Sequence, residues 1–156
     1  MFGGGCCGRL NTGQNKGKTN TPHICIVEDY PDAQVLLSRM IESGGIEASV
    51  AGSGRDLDQL LQSGVRPDLF LVDLSLPGET GLSIRQRLRT DPRFANTPVV
   101  AITAHAYFRD KREAIAMGFD GYLTKPVDVA TLLSTVRHLL RPPSALEMRR
   151  SQRKQG

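Results

Sequence analysis

The amino-acid sequence predicts a three-layer α/β sandwich: a five-stranded parallel sheet of order 2-1-3-4-5 carrying five helices on its two faces. Two observations predict it. Between Thr21 and Leu140, short apolar runs alternate five times with segments whose apolar residues recur three and four apart. Three of the runs are nearly continuous in Val, Ile, Leu and Phe, as strands covered on both faces of a parallel sheet require. Repeated strand–helix units pack with right-handed crossovers. The order 2-1-3-4-5 is then the expectation for a doubly wound chain, not something counted from the residues.

The first run is His23–Val27 (HICIV). Pro31 suits the first turn of the following helix, whose stripe is Val35, Leu36, Met40 and Ile41, and Gly44-Gly45 suits its end. The second run, Glu47–Ala51, leads to Ser53 with Asp56 three residues on, a capping-box pattern, and then to Leu57, Leu60 and Leu61. The third run, Asp68–Val72 (DLFLV), precedes a stripe of Leu82, Ile84 and Leu88. The fourth, Val99–Thr103 (VVAIT), precedes Phe108, Ile115 and Met117. After the fifth, Gly121–Leu123, Asp128 can cap a helix carrying Val129, Leu132, Leu133, Val136 and Leu140. Pro142-Pro143 ends it, and 13 residues beyond are too few for a second folded domain. The chain is thus expected to divide into a flexible Gly/Asn-rich tail (1–20), one domain (21–140) and a disordered tail (141–156).

Composition agrees with one ordinary globular domain: 156 residues, 39% apolar and 23% charged. No stretch approaches the about 20 apolar residues of a membrane span. The N-terminus has no apolar h-region, and Phe2 stands where N-myristoylation needs glycine, so a cytoplasmic location is expected. The formal charge of +4 is unevenly spread. Residues 1–20 carry three basic groups, residues 141–156 carry five against Glu147, and the segment between holds 12 basic and 15 acidic residues. A mildly acidic domain sits between basic tails that suit either solubility or an anionic partner. Three cysteines are no disulfide framework. Cys25 reads as a small core residue, while Cys6 and Cys7 lie in the Gly-rich tail with no His nearby to complete a metal site.

Sites in open parallel sheets form beyond the carboxyl ends of the strands. Glu28 and Asp29 follow the first strand, Asp73 ends the third, Thr103 ends the fourth, and Lys125 follows the fifth. Three carboxylates, a hydroxyl and an ammonium are expected in one pocket. Clustered carboxylates repel one another unless a counter-charge intervenes. Mg2+, which takes one or two carboxylates, waters and phosphate oxygens, relieves that repulsion. Lys125 suits one phosphate oxygen, Thr103 another, and Asp73 is the natural nucleophile of aspartyl-phosphate chemistry.

The segment from about His23 to Leu140 resembles the receiver domain of bacterial two-component response regulators, a flavodoxin-like, CheY-like fold. The residues that carry the resemblance are IVED (Ile26–Asp29), LVDLSLPGETGL (Leu71–Leu82), VVAITAHA (Val99–Ala106) and GFDGYLTKPVD (Gly118–Asp128). Asp29, Asp73, Thr103 and Lys125 follow one another at intervals of 44, 30 and 22 residues, as in that family. The resemblance implies that Asp73 is the phosphoacceptor and Asp29 a direct Mg2+ ligand. By the same resemblance Glu28 holds metal-bound water, and the Ser75 backbone carbonyl is a further ligand. Thr103 resembles the switch hydroxyl, Tyr122 the switch aromatic, and Lys125 the lysine that pairs with phosphate. The Lys125–Pro126 bond resembles one that is usually cis.

The function implied is a stand-alone receiver that takes phosphate from a sensor histidine kinase or histidine phosphotransfer protein and binds a downstream effector, without turning over an external substrate. Its output surface is expected around Tyr107–Met117 and Asp128–Leu140, with room for a phosphorylation-dependent dimer. A haloacid-dehalogenase-like phosphatase needs a second Asp two residues after the nucleophile, where Ser75 stands. A nucleic-acid or anionic-surface module acting through the tails is the alternative, although no aromatic platform or recognition helix supports it and DNA binding is not the expectation. Core packing is the bland alternative for Tyr122, while His105 is read as a solvated loop residue and Arg85, Arg87 and Arg89 as solvated surface.

Overall fold

Continuous apolar runs become strands because both faces of each must be buried. The computed structural model describes residues 21–104 and 111–140. The two tails with Cys6 and Cys7, and His105, Tyr107 and Phe108, lie outside the described residues. The elements in chain order are β1 (His23–Val27), α1 (Pro31–Ser43), β2 (Glu47–Ala51), α2 (Gly54–Gln62), β3 (Leu69–Asp73), α3 (Gly81–Thr90), β4 (Val99–Thr103), α4 (Lys111–Ala116), β5 (Gly121–Thr124) and α5 (Val129–Leu140). All pairings are parallel, and the sheet order is β2-β1-β3-β4-β5, as expected. Relative to the apolar runs, β3 begins and ends one residue later and β5 extends to Thr124.

Alternation along each strand sorts the core into two layers. Cys25, Val27, Phe70, Val72, Val99 and Ala101 face Leu57, Leu61, Ile84 and Leu88 of α2 and α3. Ile24, Ile26, Leu69, Leu71, Val100 and Ile102 face Leu37 and Ile41 of α1 and Leu132 and Val136 of α5. Burying each such side chain fully is worth about 1.5–3 kcal/mol, so both layers hold the sheet between its helices. Cys25 is one of these core residues, and burial pushes its thiol up to about 12.

Three of the stripes are corrected. In α1 the buried pair is Leu37 and Ile41, one helical turn apart, while Val35 and Leu36 are rotated out to solvent. Near α4, Ala114 and Phe119 are buried while Ile115 and Met117 are exposed. In α5, Val129 is exposed. The caps follow the local residues more closely. Pro31 opens α1, and Asp128 accepts from the Thr131 amide at 2.8 Å and its hydroxyl at 2.6 Å. Ser53 accepts from the Asp56 amide, but Asp56 returns its bond to Gly52, one residue further back than a capping box would place it.

Of Arg85, Arg87 and Arg89 only Arg87 is solvated surface, and all three guanidinium groups are engaged by partners. Arg85 Nε donates to the Gly118 carbonyl at 2.7 Å, and Arg87 pairs with Asp58 at 2.6 Å and Glu79 at 3.0 Å. Arg89 donates to the carbonyls of Ala95 and Thr97 and pairs with Asp120 at 2.6 Å. Spacing by two spreads these side chains around α3, and each side of the helix offers one a partner. Gly118 is required where it stands, with φ +92° and the Arg85 guanidinium in the space of a side chain.

Candidate functional site

Parallel strands deliver their carboxyl ends to one edge of the sheet. Asp73 is the last residue of β3, Thr103 the last of β4, Glu28 and Asp29 follow β1, and Lys125 follows β5. Register sets Asp73 opposite Ile102 and Thr103 opposite Thr124, which places the two polar strand ends side by side. Among the described residues, Glu28, Asp73 and Thr103 are the buried polar ones. Asp29 is exposed at the rim.

Lys125 closes the cluster. Its Nζ lies 2.5 Å from Glu28 Oε2 and 2.9 Å from Asp73 Oδ2. Its own amide donates to the Thr103 carbonyl at 2.8 Å, so backbone pairing fixes where the side chain starts. The peptide bond between Lys125 and Pro126 is cis, as the resemblance implied. Asp73 Oδ1 accepts from the Ser75 amide at 2.7 Å, which leaves both carboxylate oxygens of Asp73 hydrogen-bonded. Glu28 Oε1 accepts from the Tyr30 amide at 3.1 Å. Carboxylate oxygens of Glu28, Asp29 and Asp73 lie within 4.8 Å of one another.

Charge explains this pattern. Burial pushes the Glu28 carboxyl above the ordinary carboxylate range, the Lys125 and Tyr30 hydrogen bonds pull it part of the way back, and Asp73 beside it pushes it up again. Burial disfavours the Lys125 ammonium too, but its hydrogen bonds to Glu28 and Asp73 outweigh that and hold it above an ordinary lysine. The ammonium is the internal counter-ion of two buried carboxylates.

Two further residues support the site, and neither stands out in the sequence as a site residue. Gln34 Nε2 donates to the Glu28 carbonyl at 2.6 Å and ties α1 to the loop. Gly81 opens α3 against the phosphoacceptor strand, where an added Cβ would lie 2.7 Å from the Asp73 carbonyl oxygen and 2.9 Å from Leu74 Cα. The second Gly of LPGETGL, at the start of a helix just after the strand, is the residue type such a close approach needs. Tyr122 is half-buried in β5 and packs against the core layer of Phe70 and Ala101. Cα pairing sets it opposite Ala101.

Residues 24–137 match the response regulator receiver domain family. The chain is 41% identical over 120 residues to the DNA-binding dual master transcriptional regulator RpaA of Synechocystis sp., covering 77% of this chain and 49% of that protein. It thus spans about half the length of that relative. It is 36% identical over 124 residues to an uncharacterized 14.6 kDa protein of Leptolyngbya boryana, covering 78% of this chain and 94% of the other. The chemotaxis response regulator CheY4 of Vibrio cholerae superposes with a TM-score of 0.68 at 26% identity, over 76% of this chain and 98% of that one.

Proposed function

This chain belongs to the response regulator receiver family, and on that premise we propose that Asp73 accepts a phosphoryl group from a sensor histidine kinase or a histidine phosphotransfer protein. Receiver domains are signalling phosphoacceptors of two-component systems. The observation that carries the proposal is the Lys125 ammonium lodged between buried Glu28 and Asp73, with the Asp29 carboxylate alongside.

Three carboxylates against one ammonium form a cluster of hard oxygen donors with surplus negative charge, which fits a divalent cation. Asp29, Asp73 and the Ser75 carbonyl would hold Mg2+, with Glu28 reaching it through water. Bound there, Mg2+ draws charge from the phosphoryl oxygens. A carboxylate oxygen of Asp73 attacks phosphorus, its O–P bond forming as the N–P bond of the donor phosphohistidine breaks. The imidazole leaves with that electron pair and takes up a proton. Lys125 pairs with one phosphoryl oxygen and the Thr103 hydroxyl donates to another. Hydrolysis of the acyl phosphate by water returns Asp73 to its starting state.

Thr103 drawn toward the phosphate vacates space for Tyr122, which biases the face built from α4, β5 and α5 between two states. That face then binds a downstream effector or a second copy of the chain. No helix of the described residues is long and apolar enough to cross a membrane, and a cytoplasmic location belongs to the proposal. Hydrogen exchange with and without beryllofluoride and Mg2+ tests it. The amides of β5 and α5 are expected to change protection in the natural chain and not in Asp73→Asn. Equal exchange in both would remove the switch.

A further inference from the structure

We infer that Arg87 is a positioning residue for the metal site: it clamps the loop between β3 and α3 to α2, and so sets how tightly that site holds Mg2+. The inference rests on the Mg2+ reading given above. Sheet order is its starting point. β1 lies between β2 and β3, so the loops leaving β2 and β3 flank Glu28 and Asp29. The loop after β3 (74–80) carries the Ser75 carbonyl. The Leu76 side chain is buried in the core, and the Gly81 amide donates to the Leu74 carbonyl at 3.4 Å. Beyond Leu76, residues Pro77, Gly78 and Thr80 are exposed, and Glu79 alone of the four is half-buried.

Glu79 reaches across to α2. An added Cβ on Gly54, the first residue of α2, would collide with Glu79 Oε2, so the carboxylate fills the place of a side chain there. The positive end of the helix favours a carboxylate at that point. Arg87 of α3 holds it in place. Its Nη2 lies 3.0 Å from Glu79 Oε1 and donates to Oε2 at 3.2 Å, while its Nη1 reaches Asp58 of α2 at 2.6 Å. The Ser83 hydroxyl also donates to Glu79 Oε1, at 3.3 Å. One guanidinium thus ties together the loop, α3 and α2. None of Asp58, Glu79 and Arg87 is among the residues assigned to the metal or to the phosphoryl group.

Charge and position predict opposite signs. Arg87 is a cation, so its field alone opposes a divalent cation, and removing it would tighten metal binding. A clamp acts the other way. Without it the loop must be ordered as the metal binds, and that entropy cost weakens binding. The three side chains are 28–46% exposed, and ion pairs of that kind contribute little each. The effect is therefore a few-fold change in affinity and not a loss of the site.

Calorimetric titration of the full chain with Mg2+ tests the inference, with circular dichroism to check that each variant folds. Arg87→Met is expected to raise the Mg2+ Kd about 5-fold. In a Glu79→Ala background the same substitution is expected to cause no further weakening, because the clamp is already open. Hydrogen exchange of the metal-free protein gives a second readout: amides of residues 75–80 exchange faster in Arg87→Met, and those of α5 do not. Three results would each overturn the clamp: Mg2+ binding by Arg87→Met that is unchanged or tighter, equal weakening in the Glu79→Ala background, or unchanged exchange at 75–80. A natural chain with no saturable Mg2+ binding would overturn the metal reading itself, and the clamp with it.

Discussion

Replacing Lys125 with methionine keeps an unbranched apolar stem of four heavy atoms and removes the ammonium. Glu28 at 1% and Asp73 at 5% exposure would then face one another without a counter-ion. Two charge-assisted hydrogen bonds are lost, each worth about 1.5–3 kcal/mol. Removing one partner of a buried ion pair costs about 3–5 kcal/mol overall. The Lys125 side chain is 26% exposed, and solvent screening moves the expectation to the lower end, about 3 kcal/mol.

The pH dependence has a definite sign. Lys125 is held above an ordinary lysine, so its contribution in the natural chain is fully present below the unfolded lysine pKa and is lost only as pH rises through the higher folded value. Glu28 is raised by burial, so folded chains take up its proton more readily than unfolded ones, and stability declines as pH rises from 4.5 through the folded value. Without Lys125 the Glu28 pKa climbs further. The deficit of the variant is therefore largest in mild alkali and shrinks as Glu28 protonates. Urea unfolding at about pH 8 and about pH 5.5, with and without Mg2+, measures it. Mg2+ should restore more stability to the variant than to the natural chain, because the carboxylates no longer hold a competing ammonium. A deficit below about 1 kcal/mol, or one that is the same at both pH values, would refute the counter-ion role.

Asp29→Ala should abolish saturable Tb3+ or Mg2+ binding, followed by luminescence or calorimetry; unchanged affinity removes Asp29 from the metal shell. Leu37→Ala should cost about 2–4 kcal/mol in urea unfolding while its neighbour Leu36→Ala, 54% exposed, costs less than about 0.5 kcal/mol. Similar losses at the two positions would contradict the helix face assigned to α1. Gly81→Ala should destabilise by about 1–3 kcal/mol despite better helix propensity, because its methyl meets backbone atoms that cannot rotate away. A stabilised variant would show that α3 can slide from Asp73 without cost.

Strands and site were legible because both obey rules that act locally or at the level of topology. A continuous apolar run such as LFLV has few stable homes besides a buried parallel strand, and five parallel strands bring their carboxyl ends together. Topology alone therefore brings Glu28 and Lys125, 97 residues apart, to one pocket. Helix faces were less legible. Val35, Leu36 and Leu37 are consecutive apolar residues, and the choice of Leu37 as the buried one depends on its phase with Ile41 and on the sheet beneath. The pairing of Arg85, Arg87 and Arg89 was not visible either. Most of their partners come from other elements, Arg85 reaching 33 residues to Gly118 and Arg89 reaching 31 to Asp120. Charge spacing along one helix contains no information about such partners.

Where the phosphoryl group goes is the most direct test. The chain is incubated with Mg2+ and a small phosphodonor, the acyl phosphate is trapped by borohydride reduction, and the modified peptide is identified by mass spectrometry. One modified residue is expected, Asp73, formed only with Mg2+ present and absent from Asp73→Asn. Label on any other residue, or equal labelling of Asp73→Asn, would contradict the role given to Asp73.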